Sequence, residues 1–462
     1  MFAALTIILA ACLGLLTILL PWWAVLAFTG VAVVIMLFVS QPQGPASRRN
    51  GTLFLAGCFM LLPMTGVAAI SVFSVAHVAA AATLLVFLLR RPPPSVESPI
   101  LRSSCAWAAI CLFVGASIAA YWNDETESVV EIGGLFVSAI LPMLALRHFR
   151  PSWDEALLMA KGWLLGAMVS GFTGLLWARF PSGRAAGLTA HPNQLAMTSA
   201  MALPLIWGIY KSGRLTRLQA AVAAALSLAY VWTSGSRSGL LAVLLGGGLI
   251  LWRSLGLFKA AVVSALGAAA AYLVVTVSGV SLVKGSSALA RLLDDSATQN
   301  SNEKRLRLMQ AGVDRVDSVG TGLLGAGWIR ENQPHNLFLL AWGGAGVIGV
   351  IGLLVLFYRA FSTALRLNKP EFDWALGVTA AVFLTATLVN NALHAPFAWV
   401  FFLLLDFQWR SGSGVRGLAR TRKGTAPPLT APLTQSGQPA RVVSASTSQT
   451  GYGGAGSTVT RR

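Results

Sequence analysis

One histidine and two arginines are the residues of this sequence whose types and spacing could do chemistry on an anionic substrate. His335 stands where a long polar segment meets an apolar run, and Arg305 lies inside that polar segment. Arg237 lies in a short loop of Ser and Gly between two earlier apolar runs. An imidazole titrates near neutral pH and can accept a proton from a hydroxyl group, whereas a planar guanidinium binds phosphate oxygens through two parallel hydrogen bonds. These residues therefore predict a site for a phosphate-bearing substrate and an attacking hydroxyl group.

The composition indicates what kind of scaffold must hold these residues. The chain has 462 residues, of which 55% are hydrophobic and only 11% are charged, whereas a soluble domain carries about 25% charged residues. Long apolar runs alternate with short loops, and the runs should be helices because backbone groups in lipid must be hydrogen-bonded within their own segment. The predicted fold is an all-α polytopic membrane protein with about 12–14 transmembrane helices and one large helical loop outside the membrane.

The apolar runs divide the chain into four predicted parts. Residues 1–278 should hold transmembrane helices 1–11 with short loops, and the polar residues 279–334 should form the large loop, which the family resemblance given below places in the periplasm. Residues 335–408 should form the C-terminal transmembrane helices. Residues 409–462 are rich in Gly, Ser, Thr, Pro and Arg and have no apolar pattern, which predicts a disordered cytoplasmic tail.

The net charge of +18 is explained by membrane topology and does not indicate a nucleic-acid partner. Cytoplasmic loops of membrane proteins carry the excess of Lys and Arg. Alternate loops of this chain hold basic clusters, whereas the opposite short loops hold only Arg179, Arg184 and Arg237. Both termini are therefore predicted to be cytoplasmic, and the 279–334 loop is predicted to face outward. The basic residues of the predicted cytoplasmic loops are Arg48, Arg49, Arg90, Arg91, Arg102, Arg147, Arg150, Lys211, Arg214, Arg217, Arg253, Lys259, Arg359, Arg366 and Lys369.

The outward arginines have no topological reason to exist, so each needs a function or a structural partner. For Arg237 the alternative is an interfacial arginine whose head group reaches water. In the large loop, apolar residues recur at spacings of three and four over 300–317, which predicts a helix. Arg305 lies at the edge of the apolar stripe of this helix, where the alternative is simple solvation. Arg307 and Arg315 are the alternative candidates for the functional arginine of the loop.

The other histidines sharpen the prediction for His335. The alternative role for His335 is to cap the next helix. Asn336 beside it could orient the imidazole. His191-Pro192-Asn193 repeats the arrangement at the outer start of another predicted span, where the alternative is that Asn193 acts as an N-cap. The remaining histidines are His394 in an outward loop, His77 in the middle of a predicted span and His148 on the basic side, and the last two are interpreted as structural.

The residues predict neither a metal nor a nucleotide cofactor. The outward carboxylates lie in the loop helices and form no Asp-x-Asp motif, so cationic side chains would neutralise a leaving phosphate in place of a metal. Two GxGxxG patterns, at 320–325 and 344–349, lack the strand and helix of a dinucleotide site, and small residues inside a span mainly permit close helix packing. The four cysteines all lie in apolar runs, which indicates neither a disulfide framework nor a zinc site.

Together these motifs resemble the O-antigen ligase and polymerase superfamily of bacterial polytopic membrane proteins. The resemblance covers about residues 190–350 by motif and the whole chain by topology. The family's first motif arginine falls on Arg237, its loop arginine on Arg305 with Arg307 as the alternative, and its histidine on His335. The motifs that carry the resemblance are His191-Pro192-Asn193, Thr233 to Leu240, Arg305 to Met309, Gly325-Ala326-Gly327, Pro334 to Leu339 and Gly343 to Gly349.

This resemblance implies a helical, C-type membrane glycosyltransferase of the bacterial inner membrane whose active site faces the periplasm. The donor would be an undecaprenyl-diphosphate-linked glycan. The acceptor would be the lipid A-core for a ligase, or another lipid-linked repeat unit for a polymerase. The transfer would be inverting and would need no cofactor. The resemblance assigns catalysis to His335, Arg237 and Arg305, and the candidate substrate-binding residues are Arg307, Asn336, His191, Asn193 and Arg184.

A polysaccharide or lipid transporter is the alternative from a different functional class. A transporter predicts charged residues or broken helices that face a cavity at the membrane midplane. Lys161 is the main residue of that kind, and it is close to the cytoplasmic end of its predicted span.

Overall fold

A computed structural model describes most of the predicted helical body. The described residues are 45–70, 73–89, 103–123, 127–176, 183–277, 299–328, 333–390 and 392–407. Several predicted features lie outside the described residues, namely the apolar runs at 3–20 and 23–40, a short loop helix at 286–297, and the tail 409–462.

Nearly all of the described chain is helical, which confirms the all-α part of the predicted fold class. One antiparallel hairpin, β1 (Ala68–Ile70) with β2 (Phe73–Ser74), departs from it, and a π-helical segment, Phe136–Ile140, joins α4 to α5. The α-helices are α1 (Pro45–Leu61), α2 (Val75–Leu89), α3 (Ser104–Trp122), α4 (Glu127–Leu135), α5 (Leu141–Phe149), α6 (Trp153–Leu176), α7 (Pro192–Lys211), α8 (Arg217–Ser234), α9 (Arg237–Leu255), α10 (Leu257–Val277), α11 (Gln299–Asp314), α12 (Val319–Leu324), α13 (Leu337–Ala364), α14 (Glu371–Thr387) and α15 (Pro396–Leu405).

Five helical stretches of the described chain are long and apolar enough to cross a membrane. They are Ser104–Trp122, Ser128–Arg147, Trp153–Leu176, Arg237–Leu255 and Leu337–Ala364. The second of them runs without interruption through α4, the π-helical segment and α5. These helices indicate a membrane protein, whereas the predicted count of spans and their orientation stay predictions.

Helix α7 occupies the centre of the helical body. It contacts α6, α8, α9 and α14, and most of its residues are buried. The helix begins at Pro192, a position where the missing backbone N–H costs no hydrogen bond. Because protein surrounds α7, polar side chains at its end must bond to neighbouring helix ends.

Ion pairs join the loops at one end of the helical body. All the arginines in these pairs come from loops that the charge pattern predicts to be cytoplasmic. The pairs are Arg48–Glu155 at 2.6 Å, Arg147–Asp406 at 3.2 Å, Arg359–Asp406 at 3.3 Å and Arg253–Glu371 at 2.7 Å. Arg253 lies in the last turn of α9, whereas Arg237 begins that helix about 24 Å away at 1.5 Å per residue. Arg237 is therefore at the opposite end of the body from these pairs.

The predicted span 395–408 is much shorter in the structure. Helix α15 has 10 residues, all of them buried, and such a helix is about 15 Å long, half of the roughly 30 Å hydrocarbon core. Trp163 of α6 donates from Nε1 to the carbonyl of Phe397 at 2.9 Å. The last described helix is therefore a half-length element enclosed by protein, which an apolar run read from sequence alone cannot reveal.

The large loop also enters the helical body and does not lie wholly outside it. Residues 319–328 pack against α13 and α3, and Trp328 is only 1% exposed. The Nε1 of Trp328 donates to the carbonyl of Leu340 at 2.9 Å. Irregular backbone of this kind is tolerated at depth only where protein covers it.

The two glycine-rich patterns meet where this segment enters. Helix α13 breaks at Gly346, which has φ 61° and ψ −158°, and the backbone of Leu323 and Gly325 leaves no room for a Cβ there. Gly325 in turn has φ 88° and lies against the Gly346 amide. Gly325 and Gly346 therefore allow two backbone segments to touch.

Candidate functional site

A tight turn between α8 and α9 positions Arg237. Gly235 ends α8 in the left-handed conformation with φ 63°, and the hydroxyl of Ser236 caps α9 by accepting from the Gly239 N–H at 3.3 Å. Arg237 is the first residue of α9 and is half-buried. Its Nη2 donates to Oδ1 of Asn302 at 2.6 Å. The guanidinium thus joins the helical body to the large loop.

Helix α11 brings Arg305 into the same region. Asn302 and Arg305 are three residues apart, so they lie on the same side of the helix. Farther along α11, Gly312 packs against Pro334, the residue before His335. Helix α11 is therefore held between the start of α9 and the segment that carries the histidine, with Arg305 half-buried between these two contacts.

His335 and Arg305 share one electrostatic environment. Burial lowers the pKa of His335 most strongly, and the positive charges of Arg305 and then Lys304 lower that pKa further. The Nδ1 of His335 is buried and has no hydrogen-bond partner among the described residues. A lowered pKa keeps the imidazole neutral at neutral pH, so a ring nitrogen is able to accept a proton. Of the three predicted residues, Arg305 thus shares the surroundings of His335, and Arg237 bonds to the helix that carries Arg305.

Asn336 and His191 both cap helices, which corrects two of the alternatives drawn from the sequence. The Oδ1 of Asn336 accepts the N–H groups of Phe338 and Leu339 at 2.9 and 3.1 Å, so the cap of α13 is Asn336 and not His335. At the start of α7, the Nδ1 of His191 accepts the Asn193 N–H at 3.1 Å. The cap there is therefore His191 and not Asn193.

A buried polar network adjoins Arg237, and it consists of Arg184, Asn193, Asn390 and Ser238. The Nη2 of Arg184 donates to Oδ1 of Asn193 at 2.8 Å. The Nδ2 of Asn193 donates to Oδ1 of Asn390 at 3.0 Å, and the Nδ2 of Asn390 donates to Oγ of Ser238 at 2.7 Å. Arg184 also donates from Nε to the Ser234 carbonyl at 2.6 Å. The network therefore connects the ends of α7, α8, α9 and α14.

The arginines near Arg305 have different surroundings. Arg307 is exposed on α11. Arg315 directly follows the last residue of that helix, and its Nη2 donates to the carbonyl of Ala326 at 3.1 Å. Arg315 therefore anchors the entering segment to the loop helix, and Arg305 is the arginine of α11 whose charge reaches His335.

A second histidine lies in a separate buried cluster. The ring of His394 meets the indole of Trp328 edge-on with 4.6 Å between centroids, and its Nε2 is 3.6 Å from a carboxylate oxygen of Glu131. Burial lowers the pKa of His394, and Glu131 opposes that shift. His77, predicted in the middle of a span, lies instead in the first turn of α2, where its Nδ1 is 2.8 Å from the Ser74 hydroxyl.

Sequence reasoning assigned no role to Asn302, Asn390 or Ser238. A signal existed for Asn302, because its spacing from Arg305 places both on one side of α11. No comparable signal exists for Asn390 and Ser238, because 152 residues separate them in the chain. Within the described residues, no group of three or more His, Cys, Asp or Glu side chains could hold a metal ion.

No family model matches this chain, and no curated protein matches it.

Proposed function

We propose that this protein is a glycosyltransferase of the O-antigen ligase type in the bacterial inner membrane. It moves a glycan from undecaprenyl diphosphate to a lipid A-core acceptor at the periplasmic face. One observation carries the proposal: α11, the helix of Arg305, is bonded to Arg237 through Asn302 at 2.6 Å and packs at Gly312 against Pro334, the residue before His335. These contacts support a site in which the two guanidinium groups and the imidazole act on one substrate.

The two arginines suit a lipid diphosphate as the leaving group. A diphosphate gains negative charge on its bridging oxygen as the bond to the sugar breaks, and positioned cations stabilise that charge in the transition state. Arg237 and Arg305 come from different elements, a body helix and the loop helix. They can therefore approach one diphosphate from two sides while its polyprenyl chain stays in the membrane.

The transfer step uses His335 as the proton acceptor. The oxygen of the acceptor hydroxyl attacks the anomeric carbon of the glycan, and the bond from that carbon to the phosphate oxygen breaks. The electron pair of this bond leaves with undecaprenyl diphosphate, and the hydroxyl proton goes to the imidazole. Attack opposite the leaving group inverts the anomeric carbon, and the glycosyl–diphosphate bond supplies the free energy.

The surroundings of His335 favour this role. An imidazole whose pKa is lowered by burial, Arg305 and Lys304 is neutral before the donor binds. The negative charge of a bound diphosphate would offset the two cations and raise the proton affinity of the imidazole. His335 would therefore become a stronger base when the donor is in place.

A reconstituted transfer assay tests the proposal. The protein in nanodiscs receives an undecaprenyl-diphosphate-linked glycan and lipid A-core with a chelator present, and glycosylated lipid A-core is measured. We expect His335→Ala to lose about 10²–10⁴-fold in rate, the usual contribution of a general base, and Arg237→Ala and Arg305→Ala to lose similar amounts. Arg217→Ala, which changes an exposed arginine at the opposite end, is the matched control.

The products of that assay distinguish the alternatives. Full activity in His335→Ala or Arg237→Ala, or a requirement for added metal, would overturn the proposed chemistry. Growth of the glycan on the polyprenyl carrier, without transfer to lipid A-core, would identify a polymerase. Movement of the lipid-linked glycan across the bilayer without a covalent product would identify a transporter.

A further inference from the structure

We infer that Asn390 is a positioning residue for Arg237, acting through the first turn of α9. This inference rests on the proposed function, because it assigns the binding of the donor diphosphate to a geometry that Asn390 maintains. Asn390 follows α14 and is 4% exposed. It is far from Arg237 in sequence, yet it bonds to the residue next to Arg237.

The side-chain amide of Asn390 is suited to link three elements. Its Nδ2 donates to Oγ of Ser238 at 2.7 Å and to the Ala386 carbonyl at 2.9 Å, and its Oδ1 accepts from Nδ2 of Asn193 at 3.0 Å. An amide provides both donors and an acceptor in one plane, which neither a carboxylate nor an apolar side chain does. Ala386 is in α14, so the bond to its carbonyl fixes the direction of the Asn390 amide relative to that helix. In this orientation the amide bonds to Asn193 at the start of α7 and to Ser238 at the start of α9.

The start of α9 is also packed tightly against α7. Gly239 lies so close to the Cβ of Ala196 that a side chain at position 239 could not be accommodated. The hydroxyls of Ser236 and Ser238 are 3.1 Å apart, and Ser236 caps the helix. The first turn of α9 therefore has little freedom while these bonds exist. Loss of the Asn390 bonds would release Ser238, the residue that follows Arg237.

Arg184 extends the network to the opposite side. It is 8% exposed. It donates to Oδ1 of Asn193 at 2.8 Å and to the carbonyl of Ser234, the last residue of α8, at 2.6 Å. A cation at a helix C-terminus is stabilised by the helix dipole. Arg184 thus fixes Asn193, Asn193 fixes Asn390, and Asn390 fixes Ser238. In this arrangement Arg184 and Asn193 help to position Arg237, the proposed ligand of the donor diphosphate. This role differs from direct contact with the substrate.

The test measures binding of undecaprenyl diphosphate by the full-length protein in nanodiscs, with undecaprenol as the lipid that lacks the diphosphate. We expect Asn390→Leu to weaken binding of the diphosphate about tenfold, which corresponds to one buried hydrogen bond to a positioned group, and to leave binding of undecaprenol unchanged. Thr387→Val is the matched control: this residue is one turn earlier and buried, and among the described residues its hydroxyl bonds only to carbonyls of its own helix.

A double-variant comparison separates positioning from general damage. In an Arg237→Ala background, Asn390→Leu should weaken binding of the diphosphate no further, because the residue through which it acts is gone. The inference is overturned if Asn390→Leu binds the diphosphate as tightly as the unmodified protein, or if the tenfold loss persists without Arg237. If Asn390→Leu does not fold, Ser238→Ala removes only the accepting hydroxyl and must give the same pattern. A protein that does not bind undecaprenyl diphosphate at all would overturn the proposed function itself.

Discussion

Arg237 and Asn302 lie 2.6 Å apart, Nη2 to Oδ1, and this bond connects the first turn of α9 to the helix of the large loop. The bond has two consequences. It orients the guanidinium of Arg237, and it holds α11 so that Arg305 reaches His335. A loop helix of only 16 residues, Gln299–Asp314, is marginally stable by itself in water, so its position depends on such contacts.

Replacement of Asn302 by Leu should raise KM for the lipid-diphosphate donor about tenfold, with a smaller change in kcat. The change removes one hydrogen bond to a charged group, which contributes about 1.5–3 kcal/mol. Steady-state kinetics with varied donor measure the effect. Gln310→Leu is the control, because Gln310 is exposed on the same helix and bonds only to Asp314 at 2.7 Å in the described chain. Equal effects of the two variants would show that the Arg237 contact has no special role.

The acid limb of the activity profile should move to higher pH when Arg305 is replaced by Gln. Arg305 lowers the pKa of His335, and a lowered pKa keeps the base neutral and active at lower pH. Without that charge the pKa rises, so the imidazole is protonated, and activity falls, at a higher pH than in the unmodified protein. The pH dependence of residual kcat/KM measures this shift.

Lys304→Gln provides the graded comparison for that experiment. Lys304 also lowers the pKa of His335 but less than Arg305 does, so its removal should move the acid limb in the same direction by a smaller amount. An acid limb that stays in place in both variants, or that moves to lower pH, would contradict the assignment of His335 as the base.

Substitution of Ala for Gly346 should lower stability and displace the entering segment of the loop. A residue with φ 61° and ψ −158° lies in a region that costs non-glycine residues about 1–3 kcal/mol, and the Leu323 backbone leaves no space for a Cβ. Thermal denaturation in detergent measures the change. Gly343→Ala is the control, because a Cβ at that position of the same helix meets no atom within 4 Å. Similar melting temperatures for both variants would refute the described break in α13.

At the opposite end, Asp406→Asn should destabilise the protein without changing the pH profile of transfer. The side chain of Asp406 is 4% exposed and lies 3.2 Å from Arg147 and 3.3 Å from Arg359. Loss of one partner from a buried ion pair costs about 3–5 kcal/mol, because the remaining charges lack compensation. Chemical denaturation in detergent measures the loss. Asp154→Asn, at a side chain that is 68% exposed, should change stability by much less.

The sequence by itself determined the class of the protein and singled out the candidate site residues. Apolar runs in a chain with 11% charge predict membrane helices because buried backbone must bond within its own segment. Residue chemistry and motif resemblance together singled out His335, Arg237 and Arg305, since only a few side-chain types bind phosphate or accept a proton near neutral pH. All of these depend on local composition or on short motifs, which are visible in a linear chain.

Only the tertiary structure decided which polar groups bond to which. Asn390 bonds to Ser238 and Asn193, and Arg237 bonds to Asn302, across separations of 65 to 197 residues. The short length of α15 and the contact between Gly325 and Gly346 were likewise visible only in the tertiary structure. Hydrogen bonds and close packing act over about 3–4 Å in space, so they follow from how the helices are arranged, and the spacing of residues along the chain does not encode them.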